Sequence, residues 1–177
     1  MHLMPLPTGP ADDGGPWLPL ADEADTERLA QAFSAQAGTG LLDHAVLFLQ
    51  GTLGAGKTTF VRHLLRALGV AGRIKSPTYA LLESYALDRA PHTVYHFDLY
   101  RLEAPQEWLD AGLQDTVCGP GLKLIEWPQQ AGNLLGQPDL ELQLQTLPGH
   151  EQARQARLQA HTATGRALFE NAMKFRP

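Results

Sequence analysis

The chain has 177 residues, a length suited to one domain with a single substantial core. Apolar residues make up 44% and charged ones 19%, and no apolar run approaches the about 18 residues that a membrane-spanning helix needs. The formal net charge of −5 excludes the strongly basic footprint of a protein that grips nucleic acid unaided.

Residues 1–19 hold Pro5, Pro7, Pro10, Pro16 and Pro19 with several glycines and no hydrophobic period. They are expected to form a flexible leader ahead of a domain over 20–177. No basic flank precedes an apolar core at the N-terminus, so no secretory signal is expected. Asp25-Thr26-Glu27-Arg28 then opens a helical pattern with Leu29, Ala30 and Phe33 on one face, Asp25 being the expected N-cap.

Ala45-Val46-Leu47-Phe48-Leu49 reads as a buried strand. Gly51-Thr52-Leu53-Gly54-Ala55-Gly56-Lys57-Thr58 follows and fits G-x-x-x-x-G-K-[ST], the phosphate-binding P-loop. Glycines let main-chain N–H groups curl around a phosphate, and the next helix presents unpaired N–H groups to the same anion. Lys57 supplies a point charge for the β- and γ-phosphates, and Thr58 a hydroxyl for Mg²⁺. Phe60, Val61, Leu64, Leu65 and Leu68 recur at helical spacing, with Gly69 as the stop. Strand, loop and helix in this order predict a nucleotide site whose contacts include Thr52, Leu53, Gly54, Ala55, Gly56, Lys57, Thr58 and Thr59.

Ile74-Lys75-Ser76-Pro77-Thr78-Tyr79 is a shaped loop, because proline holds Ser76 away from helix. It reads either as a plain connection or as a switch sensing the γ-phosphate or metal through Ser76 or Thr78. Ala80–Leu87 and Thr93–Leu99 are expected strands, and Glu103–Leu113 a short helix anchored by Trp108 and Leu109. Asp98 ends one apolar strand, and Glu126 ends another in Gly121-Leu122-Lys123-Leu124-Ile125-Glu126-Trp127-Pro128. A P-loop fold holds its metal on such a carboxylate, ordinarily an Asp. Asp98 and Glu126 are therefore the candidate metal and catalytic residues, and the pattern leaves open which one contacts Mg²⁺ directly. Trp127 could stack on a base, although core packing is the usual fate of tryptophan. The lone Cys118 is expected to be a small apolar filler in a reducing cytoplasm. From Asp139 an alternating strand, a pairing segment over 156–160 and a closing helix over 164–174 look structural.

With these pieces assembled, the chain closely resembles the bacterial TsaE (YjeE) family, the ATPase of the tRNA threonylcarbamoyladenosine machinery. The resemblance rests on Leu53-Gly54-Ala55-Gly56-Lys57-Thr58-Thr59, Ser76-Pro77-Thr78-Tyr79, His96-Phe97-Asp98-Leu99-Tyr100-Arg101 and Ile125-Glu126-Trp127-Pro128, in that order. It implies a single-domain α/β P-loop NTPase fold, with a mixed, mostly parallel sheet flanked by helices. It also implies ATP and Mg²⁺ as cofactors, Thr58, Asp98 and Glu126 around the metal, and a switch-like loop at Thr78, with Trp127 near the nucleotide. The implied partners are TsaD and TsaB homologues, with tRNA reached indirectly through them and no membrane. The family commonly carries an acidic residue where this chain has Thr52.

Three other readings compete. A small-molecule P-loop kinase would need an acceptor pocket and an arginine-bearing lid, yet Arg89 and Arg101 are the only arginines between Lys75 and Trp127. A non-hydrolysing assembly factor would bind nucleotide without releasing phosphate. A GTPase is disfavoured because no Asn-Lys-x-Asp motif occurs.

Overall fold

The two most apolar runs of the chain lie side by side at the centre of a sheet, the place where a strand covered on both faces belongs. The computed structural model describes residues 14–174. Its strands are β1 (Leu18–Leu20), β2 (Val46–Gln50), β3 (Leu82–Ala86), β4 (Thr93–Asp98), β5 (Leu122–Glu126), β6 (Leu140–Leu147) and β7 (His150–Ala160). The helices are α1 (Glu23–Ser34), α2 (Lys57–Ala67), α3 (Pro105–Asp110), α4 (Gln114–Cys118) and α5 (Ala163–Met173), with a 3-10 turn over Pro128–Ala131. Among the described residues the strand order is β1-β7-β6-β2-β5-β4-β3. The pairs β6–β2, β2–β5 and β5–β4 are parallel; the outer pairs are antiparallel. The expected α/β fold with a mixed sheet and parallel core is the fold observed.

Each face of the sheet has its own core. On one, Leu29 and Phe33 of α1, Phe60 and Leu64 of α2 and Leu168 of α5 pack with Leu47, Leu49 and Leu124. Phe33 and Phe60 meet edge to face at 5.7 Å between ring centroids, a favoured aromatic geometry. On the other, Trp108, Val117 and Ala131 pack with Phe48, Phe97 and Ile125. No helix of the described residues is long and apolar enough to cross a membrane.

Local chemistry explains the main departures from expectation. The leader drawn over 1–19 runs into the sheet, because Leu18–Leu20 pairs with Arg154–Ala156 of β7; residues 1–13 lie outside the described residues. Pro19 sits on this edge strand, where a missing N–H is tolerated. Asp22, not Asp25, caps α1: its carboxylate accepts the Asp25 N–H at 3.2 Å. Asp25 is buried instead, accepting the Ala21 N–H at 2.8 Å and pairing with Arg28. Cys118 is exposed rather than a core filler. The helix expected over 103–113 is shorter, spanning Pro105–Asp110, and α4, Gln114–Cys118, is an addition beyond it. Gly69 does stop α2: it takes φ 101° and lets the Val70 N–H reach the Leu65 carbonyl at 3.0 Å, the geometry of a Schellman cap.

Candidate functional site

Parallel strands deliver their C-terminal ends to one edge of the sheet, and in such folds the crevice outside those ends holds the ligand. Here that edge carries the loop after β2, the ends of β4 and β5, and the loop before β3. Between them lies a cleft of about 340 Å³.

The loop after β2 owes its path to two glycines. Gly56, the N-cap of α2, takes φ 105°, a left-handed conformation that a side chain would strain. Gly51 approaches β6 so closely that a Cβ would stand 2.4 Å from the Leu144 carbonyl oxygen. Of the residues expected to contact a nucleotide, Leu53, Gly54, Gly56, Lys57, Thr58 and Thr59 line the cleft. Thr52 and Ala55 do not. Thr52 faces the neighbouring groove beside Gln50 and Gln143, and the Ala55 methyl is fully buried while its N–H bonds the Thr52 carbonyl at 3.0 Å. Position in the motif did not reveal that these two side chains turn away.

Asp98 and Glu126 are register partners on adjacent parallel strands, and both are buried. Their bonds separate them. Glu126 accepts the Thr58 hydroxyl proton, with Oγ1 2.9 and 3.1 Å from its two oxygens. Asp98 accepts the Thr78 hydroxyl at 3.2 Å and the Tyr100 N–H at 3.0 Å. Because Thr78 donates to Asp98, the 2.7 Å contact between Ser76 and Thr78 runs from Ser76 as donor. One carboxylate is thus tied to the P-loop and the other to the loop before β3. Asp98 also receives that loop's end, its N–H bonding the Leu81 carbonyl at 3.1 Å.

Lys57 lies between the two carboxylates and Trp127. Its Nζ donates to the Gly51 and Thr52 carbonyls at 2.6 and 2.9 Å and stands 4.2 Å from the Trp127 ring centroid. Trp127 takes a left-handed φ of 56° ahead of buried Pro128 and packs against Tyr100 at 4.9 Å. Burial lowers the Lys57 pKa, opposed by the Glu126 and Asp98 carboxylates. A base whose pKa falls on folding costs stability below that lowered value, and the cost disappears as pH rises towards 10.5. Lys57→Met is expected to weaken nucleotide binding about 100-fold, the order expected where a charge-assisted contact to an anion is lost. Near neutral pH and without nucleotide it is expected to unfold at a temperature no lower than wild type. A thermal melt checks this, and a drop of several degrees would contradict it.

Sequence reasoning missed Arg154. It sits on β7, 97 residues beyond Lys57 in an alternating strand with no motif, yet its Nη2 donates to the Gly54 carbonyl at 3.2 Å. Arg154, Gly56 and Thr59 also border an adjoining cavity of about 300 Å³, closed by Glu23 and Thr26 of α1 and Gln152. His96 was noted within its motif but given no role; it is buried against Glu126.

The donor set suits one kind of ion. Thr58, Asp98 and Glu126 offer hard oxygens, the preference of Mg²⁺. No group of three or more His, Cys, Asp or Glu side chains forms a metal cage among the described residues.

Fold and loop together define the class: an α/β protein of the P-loop NTPase fold, with the nucleotide binding that this fold implies. A family model described as "Threonylcarbamoyl adenosine biosynthesis protein TsaE" matches residues 20–156. Proteins named tRNA threonylcarbamoyladenosine biosynthesis protein TsaE are similar over most of their length. The one from Haemophilus influenzae is 39% identical over 124 residues, 70% of this chain and 75% of the relative. The one from Nostoc sp. is 36% identical over 149 residues, 82% and 86% of the two chains. The crystal structure of Bacillus subtilis YdiB superposes with a TM-score of 0.72 at 25% identity, covering 90% of this chain and 94% of that one. This chain belongs to the TsaE family.

Proposed function

We propose that this chain is the ATP-binding and ATP-hydrolysing subunit of the bacterial tRNA N6-threonylcarbamoyladenosine machinery, acting in the cytoplasm with TsaB and TsaD homologues. Family membership supports the pathway. One observation supports the switch: the two strand-end carboxylates are bonded separately, Glu126 to Thr58 of the P-loop and Asp98 to Thr78 of the loop before β3.

The P-loop N–H groups and Lys57 hold the β- and γ-phosphates, and the cavity beside Thr59 and Arg154 takes the nucleoside. Thr58, Glu126 and Asp98 would hold Mg²⁺, which when bound neutralises charge developing on the phosphates. Glu126 anchors the Thr58 side of that site. Asp98, on the Thr78 side, orients the attacking water. Loss of the γ-phosphate changes what Ser76 and Thr78 can bond, so the loop reshapes the surface offered to TsaD and TsaB. tRNA is reached through those partners.

Phosphate release from ATP, measured with and without a purified TsaB–TsaD pair, tests the reading. Partner-dependent release is the expected result; binding of ATP with no release under either condition would overturn it in favour of a non-hydrolysing assembly factor. Arg154→Ala is expected to weaken ATP binding about tenfold, the loss of one charge-assisted contact of ~1.4 kcal/mol. Intrinsic tryptophan fluorescence during an ATP titration would read it.

A further inference from the structure

We infer that His96 is a positioning residue, whose Nε2–H holds the Glu126 carboxylate in the orientation that serves Thr58 and the metal. The inference rests on the nucleotide and Mg²⁺ site proposed above, and adds to it a residue outside the P-loop, the strand-end carboxylates and the switch loop.

His96 is 1% exposed, in the middle of β4. Its Nε2 lies 3.2 Å from Glu126 Oε1. Its Nδ1 is buried with no hydrogen-bond partner among the described residues. The contact decides which ring nitrogen donates: a carboxylate oxygen accepts, so Nε2 carries the proton that is shared with Glu126. An orphaned acceptor in the core is tolerated more readily than an orphaned N–H donor. The ring is therefore a one-sided donor aimed at Glu126.

The sheet explains why the ring points there. Residues 94, 96 and 98 of β4 share one face, and on β5 residues 122, 124 and 126 share the same face. Val94, Leu122 and Leu124 of that set are core residues beneath α2. His96 pairs in register with Leu124 and Glu83, and Asp98 with Glu126. The ring thus stands one step below the carboxylate layer, reaching diagonally from β4 to the end of β5. Above it, Glu126 Oε1 also receives the Thr58 hydroxyl at 2.9 Å. His96 and Thr58 both donate to Oε1, and Thr58 also reaches Oε2 at 3.1 Å, so the two donors together hold the carboxylate in place. A ligating carboxylate is ordinarily fixed by such an outer partner, and losing one costs 10- to 100-fold in metal affinity or activity.

The experiment measures nucleotide affinity by intrinsic tryptophan fluorescence, with Mg²⁺ and with EDTA, for wild type, His96→Leu, His96→Gln and His96→Asn. The ratio of the two affinities reports the metal site separately from the P-loop. In His96→Leu that ratio is expected to fall about tenfold, with EDTA affinity within about twofold of wild type. His96→Gln places an amide N–H₂ near the original Nε2 and is expected to recover most of the ratio; His96→Asn is too short and is not. If His96→Leu fails to fold, the Gln and Asn pair carries the same test. An unchanged ratio in His96→Leu, equal losses with and without Mg²⁺, or Gln and Asn behaving alike would each overturn the inference. A wild-type ratio of one would instead overturn the Mg²⁺ site beneath it.

Discussion

Glu126→Gln is expected to lower partner-stimulated phosphate release from ATP by about 100-fold or more, while Mg²⁺-free nucleotide affinity stays within about twofold. The substitution keeps shape and removes charge. Glu126 is 2% exposed and takes donors from Thr58 and His96, so its charge sits in a poorly solvated place where it acts strongly on a nearby cation. An amide there still accepts the Thr58 proton through its oxygen, but its N–H₂ end faces either Thr58 or the metal as a misplaced donor. The substitution leaves the P-loop N–H groups and the Lys57 side chain in place, so phosphate grip without metal is expected to survive. Phosphate release and a fluorescence titration in EDTA check the two halves. Turnover within threefold of wild type would remove Glu126 from the chemistry.

Trp108→Ala is expected to lower the unfolding free energy by about 3–5 kcal/mol, the usual range for emptying a buried aromatic site. Trp108 is fully buried on the face of the sheet opposite α2, 5.7 Å from Phe97 between ring centroids. Its Nε1–H donates to Gln114 Oε1 at 2.8 Å, tying α3 to the start of α4. Truncation leaves a large void and an unpaired amide oxygen together. Native proteins hold about 5–15 kcal/mol in all, so this one side chain is a large fraction of the total. Chemical denaturation measures it, and a loss under 1 kcal/mol would mean that α3 collapses onto Phe97. Phe97 precedes Asp98 on β4, so loosening this core reaches the site through the strand itself.

Much of this was legible from local pattern. The apolar run at 45–49 announced a buried parallel strand because a strand covered on both faces has no polar side, and the run ending at Glu126 announced a second strand. Gly56 and Lys57 announced the phosphate loop because only a left-handed turn before a helix makes that cradle. Asp98 and Glu126 stood out as charges at the ends of apolar strands. β1 was invisible: three residues with a proline at the centre carry no period. The Asp22 cap was misplaced by three residues because a local window cannot tell two nearby aspartates apart, and burial of Asp25 decided between them.

The sequence by itself determined the class of the protein, the order of its parts and the identity of its P-loop and carboxylates, since each depends on neighbours within a few residues. Only the tertiary structure decided which partner each carboxylate takes, that Thr52 and Ala55 turn away from the cleft, and that Arg154 and His96 reach the site. Those outcomes depend on contacts between strands far apart in the chain. No local period encodes a side chain's direction across a sheet. It follows from register and packing, which exist only once the chain has folded.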